Sequence, residues 1–499
     1  MLACVRTAAV FGIEAFPVQV EVDVSFGLPT FAMVGLPDAG IRESRDRIRS
    51  AIRNSGYEFP KHRITVNLSP ADVRKEGANF DLPIALGVLA AAGVIRRNVD
   101  DLLLVGALSL DGGIQPARGV LPVAASARRN GYRGLLLPLG NQREAAVVSG
   151  LQLYGVTTLK EAVQAVNDPG GFVPSADCRT APASPPEASP DFADVHGQRL
   201  ARRALEIAAA GGHNALLVGP PGAGKTMMAR RLGGVLPPLT FDEALDVTSI
   251  HSVAGLVSPG TGLVSNRPFR APHHTVSDVA LVGGGTLPRP GEISLAHHGV
   301  LFLDEMPEFS RHALEVLRQP LEEGVVRIAR AARTATFPAA FMLVGAMNPC
   351  PCGYAGAAGR ICRCTPQQVD RYSSRLSGPL RDRIDLSVAV AALPPRELQE
   401  DADGESSAAI RERVVTARAR QLGRDGVLNA RLDGRRLRRR IRLIGAARTL
   451  VDQALTTLSL SARGFDRFLR VARTIADLSD SEDVEAEHLA EALQFRSET

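Results

Sequence analysis

Gly219, Pro220, Pro221, Gly222, Ala223, Gly224, Lys225 and Thr226 satisfy the pattern G-x-x-x-x-G-K-[ST] at every fixed position. The chemistry open to them is phosphate binding. Gly222 and Gly224 let backbone N–H groups curl round an oxyanion, Lys225 adds a mobile cation, and the Thr226 hydroxyl can ligate Mg²⁺. A second set closes the apolar run Gly299-Val-Leu-Phe-Leu-Asp304-Glu305. Asp304 can hold Mg²⁺ through water while Glu305 orients and polarises an attacking water, so the pair suits ATP hydrolysis and not binding alone. The bland alternative is a strand end with solvated acids. A third apolar run, Ala340–Asn348, ends in an amide that can hold the water against a γ-phosphate. Cys350, Cys352, Cys362 and Cys364 put four thiols into fifteen residues just after that asparagine. They either close a tetrahedral, structural Zn²⁺ site or stay as free or redox-active thiols. The pairs His273-His274 and His297-His298 suggest metal at first sight, but adjacent side chains seldom converge on one ion, which favours packing or loop hydrogen bonding.

These groups need rigid elements to carry them. Leu216-Leu-Val218 before the glycine-rich loop predicts a buried strand, and Met227–Leu232 after it a helix. Arg199–Ala210 predicts a helix before that strand, and Thr240 with Glu243 a capping box opening the one after. Residues 1–170 form a mixed α/β region: strands at Val18–Ser25, Arg63–Leu68 and from Leu102, helices at Arg42–Ile52 and Asp81–Gly93. Proline, serine and alanine without periodicity mark 171–191 as a linker. The core follows over 192–395, and helical spacing returns over 396–499, at Ala408–Leu422 and from Gly445.

Composition is that of a soluble globular protein: 499 residues, 45% hydrophobic, 22% charged, net charge +5. No apolar run reaches the length of a membrane span, and the start lacks a secretion signal, so no membrane partner is expected. Six cysteines, four of them crowded, point to the reducing cytoplasm and not to a secreted disulfide framework. Lysine occurs only at 61, 75, 160 and 225, which makes the one in the phosphate loop more telling. Arg42, Arg45, Arg47, Arg49 and Arg53 either touch DNA or form an exposed helix face, the commoner case. The run Arg435–Arg442 is open to the same two readings.

The stretches Val34–Asp38, Val66–Gly77 and Phe80–Leu86 resemble the N-terminal domain of the YifB/ComM family of magnesium-chelatase-like AAA+ ATPases, and Arg270–Asp278 and Pro290–Glu305 are especially specific to it. The resemblance runs the length of the chain. It implies an α/β fold: a P-loop AAA+ core, an N-terminal domain like ribosomal protein S5 and the Lon protease domain, and a C-terminal all-α lid. Peptide cleavage does not follow. Lys75-Glu-Gly77-Ala-Asn79 has no serine where Lon-type domains place theirs, and the catalytic lysine falls near Leu121, so nucleophile and activating amine are both missing.

By resemblance Val195–Gln198 line an adenine pocket. Arg383, in Arg375–Leu386, stands at the arginine-finger position of magnesium chelatases and minichromosome maintenance helicases, and Arg463 matches the second sensor. A finger supplied by a neighbour implies a ring, a homo-oligomer of six. The alternative for Arg383 is a surface arginine paired to Asp382 or Asp385. Arg470 and Arg473 suit packing or salt bridges. Two insertions face the substrate: glycine- and proline-rich Ser252–Pro290, and Glu323–Pro338, read as two short strands round a basic tip. Related helicases project such a hairpin into the pore, where Arg327, Arg330 and Arg333 would hold a phosphate backbone; solvated arginines are the alternative. The family implies ATP and Mg²⁺ as cofactors, single-stranded or branched DNA as partner, and branch migration in recombination and natural transformation as activity. A chelatase-like motor or nucleotide-dependent switch acting on protein partners is the rival.

Overall fold

A computed structural model of the chain describes all residues except 72–74, 76, 98, 169, 171–189, 286–287, 330–333, 357–359, 395–403, 458–460 and 497–499. The expected linker therefore lies outside the described residues as far as 189. Asp191, counted with it, belongs to the core: its carboxylate accepts from Ala193 N and Ser407 N, and its carbonyl from Arg231.

The N-terminal part is built on a seven-stranded mixed sheet. Its order is Phe31–Val34, Arg63–Ser69, Glu14–Ser25, Leu2–Phe11, Leu102–Leu104, Gly134–Pro138, Gln152–Val156. Alternation in Val18–Ser25 buries Val18, Val20 and Val22, the half-buried strand that a period of two requires. Helix Asp81–Ala91 is apolar all round and correspondingly buried over nearly its whole length.

The core carries a five-stranded parallel sheet in the order Phe269–Arg270, Val300–Leu303, Met342–Met347, Ala215–Val218, Leu386–Ala389. Its three middle strands are buried throughout, as continuous apolar runs of a two-sided sheet must be. The lid is helical: Ser407–Asp425, Gly434–Arg440, Ala446–Thr457, Ala462–Leu478 and Ala486–Gln494. It seats on helix Arg199–Gly211, where Arg413 pairs with Glu206 and Arg418 and Gln421 donate to Ala209 O and Ala210 O. Arg473 is buried against Asp477 at 3.0 Å and Arg470 donates to Leu432 O, both structural roles. Among the described residues no helix is long and apolar enough to cross a membrane.

Several contacts join the N-terminal domain to the core, among them Gly119 N donating to Ser252 O at 3.1 Å and Gly260 N to Gly140 O at 2.9 Å. Glu144, whose carboxyl burial pushes up, accepts from Ser252 Oγ on helix Phe241–Ala254 of the core, and also from Leu121 N and Asn141 Nδ2. Phe11 and Ile13, flanking the turn between the first two strands, pack into the cluster holding Val326, Ile328, Ala335 and Phe337. Those four are the inward residues of the hairpin Val325–Ala329/Thr334–Pro338, the two short strands expected from sequence.

Candidate functional site

The strand Ala215–Val218 delivers the chain to the loop 219–224, and helix Lys225–Val235 leaves it. Gly222 at φ 78° and Gly224 at φ 86° occupy the left-handed region, where a side chain would be strained. Inside the curl, Lys225 Nζ donates to Gly219 O at 2.6 Å, Pro220 O at 2.9 Å and Asn348 Oδ1 at 3.1 Å. Burial holds this ammonium below the usual lysine range, while the Asp304 and Glu305 carboxylates act in the opposite sense. The Thr226 hydroxyl donates to Asp304 Oδ2 at 2.5 Å, and Glu305 N to Asp304 Oδ1 at 2.9 Å. Three parallel strands thus bring Lys225, Thr226, Asp304, Glu305 and Asn348 to one sheet end, the place where open α/β sheets bind ligands. A cation, an amide and two hard oxygens facing a glycine-lined curl fit a Mg²⁺-bound phosphate tail. Gln198, of the expected adenine segment, reaches the loop by donating to Ala223 O at 3.4 Å and also donates to Ala391 O, just after strand Leu386–Ala389, at 2.7 Å.

Glu305 has two further features. Its backbone is left-handed, φ 48° and ψ 45°, a conformation a non-glycine residue holds only when its surroundings impose it. Its carboxylate is half exposed and lies 3.7 Å from His274 Nδ1, carried in by the loop after strand Phe269–Arg270. Sequence reasoning placed the His273-His274 pair in packing or loop hydrogen bonding; His273 Nδ1 does hydrogen-bond with Thr275 Oγ1 at 2.9 Å and His274 packs on His273 and Phe309, yet His274 also lies beside the Glu305 carboxylate. The rings of the second pair lie 3.9 Å apart, and ligand atoms of His297, His298 and Asp246 come within 4.8 Å of one another. His297 Nδ1 accepts from Ala340 N at 2.9 Å, so its other nitrogen carries the proton and cannot ligate a metal, and burial takes its pKa down to about 3.

Arg383 and Arg463 are not beside these groups. Both line a cavity of about 340 Å³ with Glu322, Asp382, Arg467 and Arg470, at the start of strand Ala215–Val218 and not at its end. Asn214 fixes the place: its Nδ2 donates to Arg383 O at 2.7 Å and its carbonyl accepts from Asp385 N at 2.9 Å. Neither alternative partner holds Arg383. Asp385 pairs with His213 and Asp382 with Arg467, while Arg383 pairs with Glu322 and donates to Pro379 O at 2.7 Å, its Nε buried and without a partner among the described residues.

Cys350, Cys352, Cys362 and Cys364 converge, with all four sulfurs within 4.8 Å of one another. The Cys350–Cys352, Cys350–Cys362 and Cys352–Cys362 separations are 3.3, 3.7 and 3.6 Å, close to the edge of a tetrahedron with Zn–S bonds of about 2.3 Å. Backbone N–H groups of Arg363 and Tyr354 bring the Cys352 thiol down to about 6, while burial and the neighbouring thiols push Cys362 up and Cys364 up to about 12. In the basic hairpin, Arg327 is exposed and paired with Glu323; Arg330 and Arg333 lie outside the described residues. In the N-terminal domain Lys75 is fully buried and donates to Leu68 O at 2.9 Å and Gly35 O at 3.2 Å, tying loops together, and Leu121 is buried too.

The family described as "Magnesium chelatase, subunit ChlI" matches residues 191–398, "Subunit ChlI of Mg-chelatase" residues 20–141, and "Magnesium chelatase, subunit ChlI C-terminal" residues 404–496. The protein YifB of Salmonella typhimurium is 45% identical, across 99% of this chain and 97% of its own. Competence protein ComM of Haemophilus influenzae is 44% identical over the same shares. Rv2897c of Mycobacterium tuberculosis is 46% identical across 98% of this chain and 97% of its own.

Proposed function

This chain belongs to the YifB/ComM family of magnesium-chelatase-like AAA+ ATPases, and on that premise we propose that it is a ring-forming ATP-hydrolysing motor that moves DNA, a branch-migration helicase of recombination and natural transformation. The observation that carries the ring is the separation of Lys225 from Arg383. Each subunit holds a phosphate cradle at one end of its sheet and two arginines at the other, so a complete site needs two copies head to tail, and a heterologous contact that closes gives a ring. The hexamer and the DNA substrate follow from the family, to which ComM lends the word competence by its name.

At each junction Lys225 and the loop amides bind the nucleotide phosphates. Thr226 and Asp304 are the oxygens that would hold Mg²⁺, which neutralises charge on the phosphates when bound. Glu305 takes hydrogen-bond control of the attacking water and Asn348 fixes it in line. Arg383 and Arg463 of the next subunit offset charge developing in the transition state. Release of Arg383 from Glu322 on docking would make turnover depend on assembly. Zn²⁺ on the four thiolates would fix the 350–364 loop behind Asn348, a structural use in a closed site. The arginine hairpin supplies the grip on a phosphate backbone.

The test is the ATPase rate with and without branched DNA, followed by gel analysis of a four-way junction. The reading expects stimulation and ATP-dependent conversion of the junction to duplex products. Neither stimulation nor strand movement would overturn it, and stimulation by a protein partner instead would favour the switch.

A further inference from the structure

Helix Ala39–Asn54 packs on helix Asp81–Ala91, and burial divides its sides cleanly. Ile41, Ser44, Ile48, Ala51 and Ile52 face inward, while Arg42, Arg45, Arg49 and Arg53 are exposed. Steps of three or four residues place those four on one stripe, neighbours about 5–6 Å apart at Cβ. The fifth arginine, Arg47, turns inward onto buried Asp81 at 3.0 Å and is structural. The stripe itself is poorly compensated. Arg45 approaches exposed Asp46 at 3.6 Å, Arg49 lies 5.8 Å over the Phe59 ring, and the side chains of Arg42 and Arg53 make no ion pair or hydrogen bond among the described residues.

Where the stripe meets Phe59, an aromatic cluster begins. Phe59 stacks on Phe31 at 6.3 Å, and the loop leading to Phe31 holds Phe26 out at 95% exposure, touched edge-on by His62 at 5.3 Å. Exposed Lys61 and Arg63 flank His62, with Lys61 3.3 Å from Glu58. Among the described residues, the six cations of this face make ion pairs only with Asp46 and Glu58. An open aromatic ring is costly on a free surface, and unpaired guanidinium groups in a line contribute nothing to the fold. Together they suit a ligand that is a line of anions with flat apolar faces attached.

We propose that this face of the N-terminal domain binds single-stranded nucleic acid, with phosphates on Arg42, Arg49 and Arg53 and a base on Phe26. It is a separate site from the arginine hairpin. It deepens the DNA reading above and rests on that reading only for where the strand comes from.

The test uses the full chain without nucleotide and the fluorescence anisotropy of a labelled thymidine strand of about 30 nucleotides, at salt from about 50 to 200 mM. For Arg42→Ala/Arg49→Ala/Arg53→Ala we expect affinity to fall at least about tenfold, and the slope of log affinity against log salt to shrink by about 2, three contacts at about 0.7 each. The corresponding triple lysine variant should keep both, which separates lost charge from lost folding. Phe26→Ala should weaken binding of the single strand and leave duplex binding unchanged. ATP hydrolysis without DNA should be unaltered in every variant. Unchanged affinity and slope in the triple alanine variant would overturn the proposal, as would equal competition by polyglutamate. Strand binding through this face with no DNA stimulation of ATPase would instead remove only the motor reading.

Discussion

If each hydrolysis site is shared, two inactive subunits should repair one another, and the extent can be worked out. The start of strand Ala215–Val218, where Asn214 anchors Arg383, and its end, where the phosphate loop begins, are four residues apart, about 13 Å at 3.3 Å per residue. No arginine side chain spans that and the loop beyond, so Arg383 cannot serve its own Lys225. Glu305→Gln should bind ATP and assemble but not hydrolyse, and Arg383→Ala should lose a factor of about 10³ or more, the usual worth of a finger. Mixed in equal amounts, an interface is competent only when an Arg383→Ala subunit, with Glu305 intact, meets a Glu305→Gln subunit, with Arg383 intact. Random assembly makes that about a quarter of interfaces, whatever the ring size. Single-turnover hydrolysis of labelled ATP counts competent interfaces without needing the ring to cycle. The burst amplitude should therefore reach about a quarter of the native value, against almost none for either parent. An amplitude no larger than the sum of the parents, or native turnover by Arg383→Ala alone, would refute the shared site.

Other outcomes follow from single contacts. His274→Ala should lower kcat about tenfold with the KM for ATP little changed, because it removes the neighbour of Glu305 and leaves the phosphate cradle whole; a change confined to KM would contradict this. Gly353→Ala would bring a Cβ to 2.6 Å from Pro221 Cδ at φ 86°, so it should cost about 1–3 kcal/mol in thermal unfolding and weaken ATP binding through the displaced loop. Native protein should release one zinc per chain on thiol modification, and Cys362→Ser should release none and melt several degrees lower; a metal-free native protein with an unaltered melting temperature on chelation would rule out the site.

The cradle was legible because its information is local. A strand, a glycine-rich turn and a helix follow one another in sequence, and the spacing of Gly222, Gly224, Lys225 and Thr226 states the geometry by itself. Asp304, Glu305 and Asn348 were legible for a related reason: each ends an apolar run, and parallel strands in one sheet finish at the same edge. The thiol cluster needed only its short spacing. What sequence reasoning could not supply was pole and partner. That Arg383 lies beyond the far end of its own sheet depends on Leu386–Ala389 pairing beside Ala215–Val218, a contact across about 170 residues with no local signal. His274 reaches Glu305 only because an edge strand ends there, so the paired histidines gave the residue types and not the neighbour. Lys75, quoted from sequence only in the motif that lacks the serine, is a buried tie between carbonyl groups, a role no spacing rule supplies.

The turn Phe11–Ile13 gives the arginine hairpin a bearing. Because its two flanking side chains sit in the same apolar cluster as Val326 and Phe337, the hairpin cannot be displaced alone: either the contact opens, exposing apolar surface at roughly 25 cal/mol per Å², or the N-terminal domain travels with it. A hydrogen bond across the joint, Ser252 to Glu144, comes from the helix whose other end carries Glu243 against Arg267, between the phosphate loop and Asp304, whereas the hairpin follows Glu305, so the N-terminal domain is held from both sides of that carboxylate pair. A displacement of either core segment is therefore passed to the N-terminal domain through packed side chains and hydrogen bonds.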